Sequence, residues 1–176
     1  PVLVIEPRRI AATSLAGYVA SLNGGEAGGE VGYAIRFDSA YGPATRVLFV
    51  TPGIALRWFT DDGLAGFATI ILDEFHERRA DTDLLLALLR DTDRHRLVLT
   101  SATFDGHRLA EQLGARRLDA EGRSHPVETR HIGREPRDMP TSKGLDRRIA
   151  EAVQQALGET KGDLLVFLPG RGAGRH

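Results

Sequence analysis

The sequence predicts an α/β fold in which a mainly parallel sheet is flanked by helices. Short apolar runs alternate along the chain with longer stretches whose apolar residues recur at helical spacing, the pattern of βα units. The first run, Val-Leu-Val-Ile at residues 2–5, is unbroken, as a strand covered on both faces should be. Asn23-Gly24-Gly25 then supplies a stop for the first helical stretch.

The elements follow in order. Pro7 suits a first helical turn, and Ile10, Ala11, Leu15, Tyr18, Val19 and Leu22 carry the helical spacing of the segment after it. Residues 24–32 read as a loop, and 31–37 as a hairpin that sets an arginine between two aromatics. Strands are predicted at 47–51, 67–72 and 97–100, with helices at 52–59, 84–89 and 108–113. Weaker strands are expected at 116–119 and 127–131. Residues 133–144, rich in Pro and charge, read as a linker, after which 145–157 form an amphipathic helix and 164–168 a strand of the buried type. The two incomplete units, 1–132 and 145–176, lead us to expect a chain cut at both ends.

Composition narrows the function classes. With 176 residues the chain is long enough to bury a core, about 70% of its unfolded surface. It has no cysteine, which excludes a disulfide scaffold, a thiolate zinc site and a cysteine nucleophile. No apolar run reaches the ~18 residues of a membrane span, and the start lacks the basic region of a signal peptide, so the expected location is cytoplasmic. Net charge is −1, yet of 23 basic residues only Lys143 and Lys161 are lysine, leaving 21 arginines. Any nucleic-acid site must therefore be a local arginine cluster.

Four constellations carry chemistry. Asp73-Glu74-Phe75-His76 leaves the carboxyl end of an apolar strand, where open α/β sheets place ligands. There one acid can hold a hydrated Mg²⁺ and its neighbour can orient a water toward a phosphoryl group; the alternative is a solvated strand exit. Thr100-Ser101-Ala102-Thr103 closes the next strand, and its hydroxyls either reach the acidic turn or cap the following helix. Arg8 and Arg9 stand at a helix N-terminus, where cations oppose the dipole unless an anion is bound. Thr51-Pro52-Gly53 offers a hydroxyl and free N–H groups to a second phosphate. Gly24-Gly25-Glu26-Ala27-Gly28-Gly29 lacks the Gly-Lys-Ser/Thr of a phosphate loop, and no G-x-x-x-x-G-K-[ST] occurs in the chain.

Taken in order, these segments resemble the first RecA-like domain of a DEAH-box/RHA helicase of superfamily 2, and within that family the bacterial HrpB type. Residues 7–12 (P-R-R-I-A-A) resemble motif Ia, 31–37 (V-G-Y-A-I-R-F) the segment that follows it, 51–53 motif Ib, 73–76 the D-E-x-H motif II and 101–103 the S-A-T motif III. Residues 122–127 resemble the G-R-x-x-P-V segment near the domain junction, and 164–170 the first strand of a second RecA-like domain. Phe75 stands where most relatives have Ala, and Pro52 where an acid is usual.

The resemblance implies a RecA-like (P-loop NTPase) parallel sheet that lacks its phosphate-loop unit, joined to the start of a second such domain. It implies ATP and Mg²⁺ as cofactors. Asp73 would hold the metal through water, Glu74 would polarise the attacking water, and His76, Ser101 and Thr103 would couple hydrolysis to movement. Arg8, Arg9, Arg36, Thr51 and Gly53 would grip the backbone of single-stranded RNA or DNA. The 176 residues alone are expected to be inactive. The alternatives are a non-catalytic nucleic-acid-binding module and an unrelated metal-dependent hydrolase using Asp73, Glu74 and His76.

Overall fold

The computed structural model describes residues 1–102, 106–120, 125–131 and 144–168. The chain divides into two compact units, Pro1–Ala120 and Glu121–His176.

The first unit is a doubly covered α/β sheet, as the apolar patterning predicts. Its strands are β1 (Val2–Ile5), β2 (Val31–Ile35), β3 (Asp38–Ala40), β4 (Val47–Val50), β5 (Thr69–Leu72) and β6 (Arg96–Leu99). They lie in the order β3-β2-β4-β1-β5-β6. Every pair is parallel except the β2–β3 hairpin. Between them run the helices α1 (Arg9–Leu22), α2 (Pro52–Asp62), α3 (Ala80–Thr92) and α4 (Gly106–Leu113).

Alternation along each strand splits the interior into two cores. Leu3, Ile5, Leu48, Val50, Ile70 and Leu72 point to one face and pack with Ala55 of α2 and Leu85, Leu86 and Leu89 of α3. Val4 and Phe49 point to the other, where Ala12, Ala16 and Ala20 of α1 meet them. That alanine stripe recurs every four residues, so α1 lies close against the sheet on its smallest face. The hairpin has a tight point of its own. A Cβ on Gly32 would stand 2.5 Å from the Ala40 carbonyl oxygen and 2.8 Å from Tyr41 Cβ. Gly32→Ala is therefore expected to cost about 1–3 kcal/mol, read as a lower denaturation midpoint; an unchanged midpoint would show that the hairpin gives way freely.

Several boundaries differ from expectation. Pro7 lies just outside α1, because Arg8 is its extended N-cap (φ −113°) and gives its N–H to the Glu6 carboxylate at 3.0 Å rather than to a helix turn. The loop assigned to 24–32 ends earlier, since Val31 and Gly32 already pair with β4. Residues 116–119 and 127–131 form no strand. Each offers one apolar side chain, Leu118 at 80% and Val127 at 86% exposure, so pairing would bury almost nothing. Arg117–Asp119 and Arg130–Glu128 form local ion pairs instead.

In the second unit, α5 (Leu145–Glu159) begins after Gly144, whose φ of 86° suits glycine. Arg130 reaches Glu159 at its far end. The strand expected at 164–168 is absent: these residues are irregular, with Leu165 77% and Phe167 86% exposed. A strand requires a ladder partner, and the described residues of this unit supply none. Most of the expected linker, residues 133–143, lies outside the described residues, as does 169–176.

Candidate functional site

Parallel register brings the strand exits into line. Ile5 stands beside both Val50 and Leu72, and Leu72 beside Leu99. The residues that follow, Glu6, Thr51, Asp73 and Thr100, therefore share the carboxyl end of the sheet.

Asp73 and Glu74 leave β5 into a tightly held turn. The Asp73 N–H donates to the Ile5 carbonyl at 3.0 Å, and the Phe75 N–H to the Thr100 carbonyl at 2.9 Å, so both neighbouring strands hold the turn. Asp73 Oδ1 accepts the Glu74 N–H at 3.0 Å and the Thr100 hydroxyl. Glu74 adopts the left-handed region (φ 50°), and so does Arg78 (φ 46°) at the other end of the 3-10 turn Phe75–Glu77. Non-glycine residues in that region carry strain that persists only where surroundings impose it. Here the imposing contact is Phe75, buried in the core at 3% exposure. His76 Nδ1 accepts the Ala102 N–H at 3.3 Å, which sets the ring proton on Nε2, 3.2 Å from a Glu74 oxygen.

Glu6 completes this acidic end and was not among the residues the sequence nominates. It is 2% exposed. Burial pushes its carboxyl above the ordinary value of 4.5; the Arg8 N–H pulls it down, while the hydrogen bond to Asp73 and the charges of Asp73 and Glu74 push it up. A carboxyl raised in the folded state stabilises the fold below its unfolded value, and that contribution is lost as pH rises through the folded one. Glu6→Gln keeps an acceptor for Arg8 and a donor for Asp73. In metal-free buffer it is expected to raise the melting temperature at about pH 8, the gain closing below about pH 4.5. A gain that persists in acid would contradict this.

Beyond Glu6 the same sheet end turns basic. The Arg8 guanidinium pairs with Glu77. Arg9 Nη2 donates to the Arg36 carbonyl at 2.9 Å, and the Arg36 guanidinium stands 4.7 Å from the centre of the Phe37 ring. The aromatic flanking Arg36 is not buried as a hairpin core residue would be: Phe37 is 88% exposed. Thr51 is the extended N-cap of α2 and spends no side-chain hydrogen bond on it. Nothing stands within 4 Å of a Cβ built on Gly53. Ser101 is exposed at the end of β6, and Thr103 lies outside the described residues.

The nominated residues thus fall in a row across the strands, Arg36, Thr51, Arg8 and Arg9, then Asp73, Glu74 and His76. Glu6 and Glu77 are additions, whereas the Thr100 hydroxyl reaches the acidic turn at Asp73, one of the two roles the sequence offers for it. Glu6 follows directly on an apolar strand, as Asp73 does, but only its burial sets it apart from an ordinary polar exit. Glu77 is identified only by its contact with a residue 69 positions away.

The donor set suits a small hard cation. Mg²⁺ takes one or two carboxylates and completes its shell with water and phosphate oxygens. Among the described residues no group of three or more His, Cys, Asp or Glu is positioned to hold a metal.

A parallel sheet with acids and arginines side by side at its carboxyl end defines an open α/β domain with its ligand edge at the strand ends. Comparison with known proteins makes this specific. The chain is 40% identical over 178 residues to the ATP-dependent RNA helicase HrpB of Escherichia coli, covering 97% of this chain and 21% of that protein. It is 36% identical over 174 residues to the ATP-dependent RNA helicase HrpA of Borreliella burgdorferi, covering 95% and 21%. The crystal structure of the E. coli DEAH/RHA helicase HrpB superposes with a TM-score of 0.85 at 39% identity over 98% of this chain and 22% of that one. A second crystal structure, of the E. coli DExH-box NTPase HrpB, gives 0.73 at 40% identity. No protein-family model matches. The chain is a homologue of the HrpB and HrpA DEAH-box helicases over a segment about a fifth of their length. Among the described residues no helix is long and apolar enough to cross a membrane.

Proposed function

We propose that this chain is the water-activating and strand-gripping part of an ATP-dependent helicase acting on single-stranded RNA or DNA in the cytoplasm. The observation that carries the reading is the shared register of β1, β4, β5 and β6, which sets Asp73-Glu74 and the arginines of α1 at one end of one sheet.

In this reading Asp73 holds Mg²⁺ through water, aided by the Thr100 hydroxyl and the Glu74 N–H that fix its Oδ1. Bound there, Mg²⁺ would supply charge neutralisation to the transferred phosphoryl group. Glu74 orients the attacking water, and His76, held between Glu74 and the Ala102 N–H, relays the state of the turn to Ser101 and Thr103. Arg8, Arg9, Arg36, Thr51 and Gly53 hold the strand by its phosphates, so binding should be largely indifferent to sequence. We assign residues 1–132 to a first RecA-like domain, 133–144 to a linker and 145–176 to the start of a second.

The test is ATP turnover by a longer protein carrying this chain. Turnover should require Mg²⁺ and rise on adding single-stranded RNA or DNA, whereas the 176 residues alone, which contain no Gly-Lys-Ser/Thr cradle, should turn over at least about 100-fold more slowly. Salt-sensitive strand binding by the longer protein without any ATP turnover would favour the non-catalytic module instead.

A further inference from the structure

We propose that Glu77 is a positioning residue that ties strand binding to the acidic turn by holding Arg8 in the absence of a strand. The inference rests on the reading of Arg8 as a phosphate contact.

The ion pair lies where the basic and acidic halves of the sheet end meet, and its two members differ in freedom. The Glu77 side chain is 21% exposed and the Arg8 side chain 71%. The carboxylate is rooted and the guanidinium is not. Glu77 closes the 3-10 turn, with its N–H on the Glu74 carbonyl at 2.9 Å, and the same turn carries His76 toward Glu74 and Ala102. The next two arginines form their ion pairs elsewhere, Arg78 with Asp83 at 3.2 Å and Arg79 with Asp81 at 3.3 Å, although the Glu77 charge also acts on Arg79. Arg8, from a neighbouring strand exit, is the cation that hydrogen-bonds Glu77.

A strand phosphate arriving at α1 competes with Glu77 for this guanidinium, since both ligands accept the same planar fork of N–H donors. Drawing Arg8 away leaves the Glu77 carboxylate, and with it the His76 turn, to readjust. Linkage runs both ways: a ligand that shifts the turn alters the affinity of Arg8 for the strand by the same factor.

The test is a double-mutant cycle in a longer protein carrying this chain, with a labelled single-stranded oligouridylate as probe and fluorescence anisotropy as readout. Glu77→Gln should tighten binding about two- to fivefold with Arg8 present and leave it unchanged in an Arg8→Ala background. It should also shrink the factor by which a non-hydrolysable ATP analogue changes oligonucleotide affinity, a readout that a merely structural role would not move selectively. Should Glu77→Gln fail to fold, Glu77→Asp runs the same cycle with the charge kept and the reach shortened. Equal effects of Glu77 substitution in both backgrounds would overturn the inference while leaving Arg8 as a strand contact. No loss of binding on Arg8→Ala would overturn both the inference and the assignment of Arg8.

Discussion

Glu74→Gln is expected to lower ATP turnover by a longer protein carrying this chain by about 10²–10⁴-fold, the usual contribution of a positioned general base. Strand affinity should change far less. The substitution keeps the side chain's size and an oxygen for the contact with His76 Nε2, but removes the carboxylate proposed to orient the attacking water. The left-handed backbone at Glu74 is held by buried Phe75 next to it and by its own N–H bonds to Asp73 and Thr100, and none of these depends on the Glu74 side chain. The defect should therefore appear in kcat and not in the melting temperature. Steady-state kinetics beside thermal unfolding would check this, and a loss below tenfold would assign the water to another residue.

The second large effect belongs to the basic half. The Arg8→Ala/Arg9→Ala variant should bind single-stranded RNA about 10–100-fold more weakly at low salt. The salt dependence discriminates further. Each phosphate contact to a single strand contributes about 0.7 to the log–log slope, so losing two should flatten it by about 1.4. The loss should be uniform across RNA sequences, because backbone contacts carry no base information. An unchanged slope with weaker binding would mean that the double substitution disturbs the fold around α1, where Arg9 also holds the Arg36 carbonyl.

Much of the sheet was legible because its strands are apolar on both faces. Residues 2–5, 47–50, 69–72 and 97–99 have no other place to go in a chain of this composition. The run at 164–168 has the same composition and no strand, because composition specifies what a strand would bury and not whether a partner is beside it. The short β3, Asp38-Ser39-Ala40, carries no apolar signal at all and exists through its ladder with β2.

The site shows the same division. Asp73, Glu74 and His76 are recognisable from their place after β5, but Glu6 reads locally as an ordinary polar exit. Its burial against Asp73 follows only from β1 lying beside β5, a neighbour relation set by sheet order. Glu77 is less legible still, since its carboxylate meets Arg8 across two crossover connections. Local patterning therefore reveals which residues leave strands, while tertiary order decides which of them meet.

On the proposed function, one end of one sheet carries both halves of the activity, nucleotide on the β5–β6 side and strand on the β1–β4–β2 side. Hydrogen–deuterium exchange on a longer protein carrying this chain measures it directly. Adding Mg²⁺ with a non-hydrolysable ATP analogue should protect amides at 73–77 and 100–102, and adding single-stranded RNA should protect those at 8–9, 36–37, 51 and 53. Protection by both ligands confined to other regions, with these segments unchanged, would show that neither half of the activity resides at this end of the sheet.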